Sequence, residues 1–355
     1  MTKTDSLDAA PHPIALSSGE PAQATALSAQ ALAEEMALLD GGTGIFRWED
    51  AGVILLRGAQ AAEFLSGITT NHVQALAVGA LQHQLICANK GKILFEVALV
   101  RTKPDAFLLL TAPGESQAVA GHVEFYHVRE EFELGEIGFA RIDLIGRGAA
   151  HLLESQGISA CSTAQHFGEG PLVTVPDPLW TPPRIVALLP ATHAHAFIER
   201  LAAAGKAARP IGAEAYEEAR IWAGVPLAGQ DFTQDFLPAE ATLYTHLSFN
   251  KGCYVGQEIH ARMHHRGHPN RKLVALDLPD AAGEGLAPRQ ALFQAGEAAG
   301  HITSLSRLPR EGRRRAIALV RYAAAQSQAP LSLEAEGAAV ARMLPLSTDL
   351  GAVRA

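Results

Sequence analysis

The segment NKGCYVGQEIHARM, residues 250–263, places one of only three cysteines in the chain between two glycines and two residues after a lysine. Gly252 permits a sharp turn. Gly256 can open a helix with Gln257 and Glu258 in its first turn, where an acidic group suits the helix dipole. The spacing predicts that this helix runs through Arg262 to about Arg266 and stops before Gly267 and Pro269. Its first free N–H groups, from Gly256 to Ile259, could receive an anion. Cys253 stands just ahead of that positive end with Lys251 close by, a pattern that favours a nucleophilic, oxidisable thiolate. Tyr254 and Gln257 would shape such a site or hydrogen-bond within it. The bland reading is a glycine turn with a small residue packed beneath it.

Two further patterns lie in the same region. Lys251, Arg262, Arg266, Arg271 and Lys272 face the single acid Glu258 between 251 and 272, a local positive field in a chain of net charge -8. It could take a polyanionic tail or be a solvated helix face. His260 and His264 at i,i+4 could hold a metal from one helix face, but no third ligand has a diagnostic spacing, and no metal is expected. The chain has no G-x-S-x-G, no G-x-x-x-x-G-K-[ST] and no G-x-G-x-x-G after a strand. Hydrolase-elbow, nucleotide-hydrolysing and Rossmann readings fall accordingly.

The elements that must position these residues follow from periodicity. Residues 1–27 carry Ala, Ser and Pro without a period and read as a mobile arm. SAQALAEEMALL is helical up to Gly41-Gly42. VILLRG, LQHQLICA, ILFEVALVR and AFLLLT are strand-like, the middle two joined by the hairpin Asn89-Lys90-Gly91-Lys92. FARIDLIG and RIVALLP are further strands, and IGAEAYEEARIWAG a helix. PLAGQDFTQDFLPAEATLYTHLSF is too rich in turn formers for a long element and reads as an irregular loop. From 271 onward KLVALDLP, QALFQ, AGHITSLSR, RRAIALVRY and PLSLEA have the rhythm of a small β-barrel. The expected class is α+β, with a mixed region over 28–270 and a barrel over 271–355. The net charge argues against a general DNA or acidic-membrane binder, no run is long enough to span a bilayer, and the N-terminus is not a secretory leader. Cytoplasm is the expected location. Cys87, Cys161 and Cys253 form no CxxC pair and cannot alone supply the four thiolates of most iron–sulfur clusters.

KGCYVGQE resembles the K-G-C-Y-x-G-Q-E motif of the YgfZ-type folate-binding proteins, in the superfamily of the glycine-cleavage T-protein, the aminomethyltransferase. FLSGITTNHVQAL resembles the F-L-x-x-x-T-T-N-D-V-x-x-L block, with His72 where aspartate is usual. EEARIWAGVP resembles L-R-I-E-A-G-I-P, with Arg220 as its arginine, and FLPAEATL and GHITSLSR resemble later blocks. The matches span about residues 36–325. The resemblance implies a ring-like arrangement of two mixed subdomains and a barrel around a central hole that binds tetrahydrofolate. It implies Thr70, Asn71, Asn89, Gly91 and Arg220 at the folate, with Arg262 and its basic neighbours for a polyglutamate tail. It also implies an accessory role in assembly or repair of iron–sulfur proteins, including those that thiolate tRNA, with Cys253 and Lys251 carrying the chemistry and client or assembly proteins as partners. Aminomethyltransferases carry G-G-I-x-D-D after the hairpin glycine. Here Phe95 holds the first acidic position and Glu96 alone is acidic, so aminomethyl transfer stands as the alternative, and a folate-free thiol sensor as another.

Overall fold

A computed structural model describes residues 27–283 and 285–349. The arm expected at 1–27 lies outside them except for Leu27, as does the chain from 350 onward.

Runs such as AFLLLT and RIVALLP have no polar alternation because both faces of their strands are buried. The first sheet is antiparallel, in spatial order Leu81–Cys87, Ile93–Lys103, Ala106–Pro113, Ala51–Arg57 and Glu133–Glu136. The second is ordered Ala208–Pro210, Thr43–Arg47, Phe139–Ile145, Arg184–Pro190, Gly170–Asp177 and Ser162–Phe167, with only its first pair parallel. The strand Thr43–Arg47, absent from the sequence reading, leaves the first helix and enters a sheet whose neighbouring strand begins at Phe139.

Period-2 alternation sorts each strand's side chains between two layers. Val97 and Leu99 pack under the helices Ala61–Ile68 and Ser116–Tyr126. Ala98 and Val100 point the other way and meet Val173, Val175, Val186 and Leu188 of the second sheet. The far face of that sheet, with Ile142, Leu144 and Leu189, is covered by helices Ala149–Ser155 and Ala194–Ala202. The result is helices, sheet, sheet, helices, each buried Val or Leu contributing roughly 1.5–3 kcal/mol.

The terminal barrel is closed. Arg271–Pro279 pairs with both Arg313–Arg321 and Ala339–Leu344, and Glu297–Leu305, Ala291–Gln294 and Leu331–Ser332 complete the circle. Its interior is filled by Leu276, Leu278, Leu292, Ile302 and Val320. The α+β class with a β-barrel at the C-terminal end is the architecture found.

Arg220, near the end of helix Ala213–Ala223, ties the mixed region to the barrel. It is 1% exposed and its five N–H groups donate to both carboxylate oxygens of Glu217, to Asp231, to the Val225 carbonyl and to Ser304 of the barrel. Removing one partner of such a buried ion pair strands the other charge. Arg220→Met should therefore lower the unfolding free energy by about 3–5 kcal/mol in a urea titration.

Candidate functional site

The hairpin register sets Glu96 opposite Leu85 and Ala98 opposite His83, so His83, Leu85, Glu96 and Ala98 share one face. Ala98 marks that face as the one turned to the second sheet. His83 and Glu96 line a cavity there, walled on other sides by Trp48, Trp180 and Tyr216. The opposing sheet contributes the cross-strand pair Asp177 and Arg184. Arg184 is buried between Asp177, to which it is ion-paired, and Asp143 at 3.1 Å. Asp143 also accepts hydrogen bonds from Trp48 Nε1 (2.9 Å), Arg141 Nε (3.1 Å) and the Tyr216 hydroxyl (3.2 Å). Asp177 sits 3.0 Å from His83 Nε2.

His246 comes from the irregular loop, on the short turn Tyr244–His246, and is fully buried. Its Nε2 lies 3.1 Å from Glu96 Oε1 and its Nδ1 3.1 Å from the Thr245 hydroxyl. Burial pushes the Glu96 carboxyl up, but the hydrogen bond and field of His246, aided by His83 and Arg184, outweigh it and hold Glu96 below the usual carboxylate range. Burial likewise outweighs Glu96 at His246 and lowers the imidazole's pKa. For Asp177 the opposition of burial is overcome by Arg184 and then His83, leaving it well below its ordinary value.

Thr70 and Asn71 hold this loop in place rather than facing the cavity. The Thr70 hydroxyl donates to the His246 carbonyl (2.7 Å) and accepts from Leu85 N (2.9 Å). The Asn71 side-chain amide donates to the carbonyls of Thr245 (2.9 Å) and His83 (3.2 Å). Two residues expected against a ligand thus join the backbones that carry His83 and His246. Arg220 lies at the cavity's back wall with all five donors already engaged.

The KGCYVGQE segment packs elsewhere. The helix Gln257–Arg266 begins where expected, at Gly256, which has φ +85° and lies against the hairpin. A Cβ there would stand 2.7 Å from the Ala88 carbonyl oxygen and 3.0 Å from Gly91 Cα. Gly91 accepts a 2.7 Å hydrogen bond from His260 Nε2, and His260 Nδ1 meets the Tyr254 hydroxyl at 3.1 Å. Both nitrogens of His260 are therefore engaged, while His264 stacks on Phe249. Asn89 is exposed at the hairpin tip, and Gly252, Glu258 and Arg262 are exposed. Of the expected cationic field, Arg271 pairs with Glu240 and Lys272 with Asp349.

Lys251 does not serve Cys253 as the spacing suggested. Its ammonium donates to the carbonyls of Ser66 (2.7 Å), Thr69 (2.5 Å) and Asn71 (3.1 Å) and lies 4.6 Å from the Tyr254 ring centre. Desolvation pulls its pKa down to about 8, and the three carbonyls favour the ammonium. Cys253 is exposed, with the Gln257 side-chain nitrogen 3.9 Å from its sulfur, and does not line the cavity. Tyr254 N donates to Gln257 Oε1 at 3.0 Å, which fixes the turn.

Residues 18–168 match the family model described as the GCVT N-terminal domain. The chain is 27% identical over 329 residues to an aminomethyltransferase of Desulfitobacterium hafniense, covering 88% of each chain. It is 26% identical over 303 residues to one from Symbiobacterium thermophilum, covering 78% of each. Its fold matches the glycine cleavage system aminomethyltransferase T of Bartonella henselae, with TM-score 0.75, 22% identity and coverage of 91% of this chain and 90% of that one. The chain is thus similar to the GCVT N-terminal domain over residues 18–168 and, over most of its length, to proteins named aminomethyltransferase.

At this site, sequence reasoning singled out Glu96 but missed His83, Asp177, Arg184 and His246. The available signals were the polar interruptions His83 and Gln84 inside an apolar strand and Arg184 opening RIVALLP. The arrangement also separates the three thiols. Iodoacetamide should modify Cys253 and Cys161 in the native protein and spare Cys87, which is buried and whose pKa burial raises, until the chain unfolds. Cys253→Ser should change stability by no more than about 0.5 kcal/mol. Lys251→Met, which leaves three carbonyls without their donor, should cost about 2–3 kcal/mol in the same denaturation assay.

Proposed function

We propose that this chain binds a reduced folate in the cavity between the two sheets and supports one-carbon transfer of the aminomethyl type, with Glu96 as the carboxylate beside the reacting group. The observation that carries this reading is the direction of the hairpin's side chains. Phe95, at the position whose lost acid argued against transfer, packs into the helix-side core, while Glu96 lines the cavity. An acid is thus kept where a ligand would meet it. Trp48, Trp180 and Tyr216 offer the apolar walls that a flat heterocycle needs, and the polar groups at the cavity's end supply the few directed contacts. The names carried by the relatives support aminomethyl transfer. The exposed Arg262 and Arg266 are available to a polyglutamate tail.

A second reading, a tetrahydrofolate-binding accessory protein for assembly or repair of iron–sulfur proteins and the tRNA modification they support, is favoured by the exposure of Cys253. A thiol on a surface turn can be reached by a client protein.

Tetrahydrofolate should raise the melting temperature, and by RT ln(1 + [L]/Kd) the stabilisation reaches about 2.7 kcal/mol at a hundredfold excess over Kd. Glu96→Gln should reduce aminomethyl transfer to tetrahydrofolate by about 10²-fold or more, with Cys253→Ser near wild type. Loss of iron–sulfur enzyme activity in cells carrying Cys253→Ser, with no transfer activity in the wild-type protein, would hand the function to the second reading.

A further inference from the structure

His83 and Glu96 face each other in a way that hydrogen bonding within the chain does not explain. His83 Nε2 lies 3.0 and 3.2 Å from the two oxygens of Asp177, so it carries the proton and donates it to that carboxylate. Its other nitrogen, Nδ1, lies 4.0 Å from Glu96 Oε1, too far for a hydrogen bond. The third side chain at this point is His246, whose Nε2 is 3.1 Å from the same Glu96 oxygen, and the two imidazole ring centres are 5.0 Å apart.

We propose that His83 Nδ1, Glu96 Oε1 and His246 Nε2 bind one divalent first-row transition-metal ion, with its open coordination positions turned to the cavity. This rests on the assignment of the cavity as the working site and is independent of the identity of the folate.

Three ligand atoms lie within 4.8 Å of one another. Around an ion with bonds of about 2.0–2.2 Å, neighbouring ligand atoms stand roughly 3.0–3.5 Å apart. The Glu96–His246 pair already has that spacing, at 3.1 Å, and His83 Nδ1 stands 4.0 Å from the same Glu96 oxygen. Two imidazoles and one carboxylate with open positions form a donor set used by catalytic zinc and by non-haem ferrous centres. Each ligating ring also has an outer partner on its remote nitrogen. Asp177 holds the His83 tautomer from Nε2, and the Thr245 hydroxyl touches His246 Nδ1 at 3.1 Å. A hydroxyl can accept as well as donate, so His246 can give its proton to Thr245 and turn the Nε2 lone pair to the ion. Such outer-shell support accompanies metal-bound histidines generally.

Charge points the same way. Asp143, Asp177 and Glu96 are three buried or half-buried carboxylates, against the two guanidiniums of Arg141 and Arg184. A divalent cation at the Glu96 end more than offsets the one surplus negative charge of that count. The Asn71 amide, bonded to the carbonyls of both His83 and Thr245, fixes the two imidazole-bearing segments relative to each other before any ion arrives.

The test is a Co²⁺ titration of full-length protein stripped with a chelator, followed by visible d–d absorption, with Zn²⁺ as competitor. One equivalent should saturate the signal and Zn²⁺ should displace it. Glu96→Gln and His83→Asn should each weaken Co²⁺ at least about tenfold, whereas His264→Gln should leave the stoichiometry at one. Circular dichroism checks that each variant is folded, and should Glu96→Gln fail to fold, His83→Asn alone decides. No Co²⁺ uptake by the stripped wild-type protein overturns the proposal, as does wild-type affinity in the folded variants. Tetrahydrofolate thermal shifts on the same stripped sample keep the two readings apart. A shift without Co²⁺ uptake removes the metal only, and uptake without a shift removes the folate only.

Discussion

Three backbone carbonyls, those of Ser66, Thr69 and Asn71, converge on the ammonium of Lys251. Buried carbonyls must find donors, and one cation with three hydrogens meets the need for all of them. From that knot the rest of the site follows. The loop it fixes presents the Thr70 and Asn71 side chains to the backbones at Leu85, His83, Thr245 and His246. Those bonds hold the irregular loop against the first sheet, so that a histidine from residue 246 can reach a glutamate at residue 96. Lysine at 251 is thus a positioning residue for a cavity it does not line. The same loop carries Cys253 outward, which separates the thiol from the buried polar cluster.

The elements were legible in the sequence where local chemistry determines them. Asn89 to Lys92 marked the hairpin, Gly256 to Gly267 bounded the helix Gln257–Arg266, and short apolar runs spaced by turns announced a barrel that starts at Arg271. Thr43–Arg47 escaped because five residues with glycine at the second place have no pattern of their own. Its strand character comes from partners at 139–145 and 208–210.

The site was legible only in part for the same reason. Glu96 could be picked out by its place after the hairpin, yet which layer it faces depends on register. His83 is one polar residue inside LQHQLICA, Arg184 opens the strand RIVALLP, and Asp177 has no motif around it. They acquire meaning through cross-strand and cross-sheet contacts that no spacing records. Lys251 shows the opposite failure. Two residues from a cysteine, it invited a thiolate partnership, but its side chain is long enough to satisfy carbonyls nearly two hundred positions earlier.

The two sheets share an apolar layer but are made at different times. The first sheet uses strands between Ala51 and Glu136, so it can form early in synthesis. Its inner face, with Val53, Leu81, Ala98, Val100, Leu108 and Leu110, is covered by strands that begin only at Gly170 and Arg184. Thr43–Arg47, already outside the ribosome, waits for residues 139 and 208 before it has neighbours. A growing chain therefore carries an uncovered hydrophobic sheet through a substantial part of its translation, the condition under which nascent chains aggregate or recruit chaperones. The order of strands along the gene gives the molecule a window of vulnerability that the finished structure no longer displays.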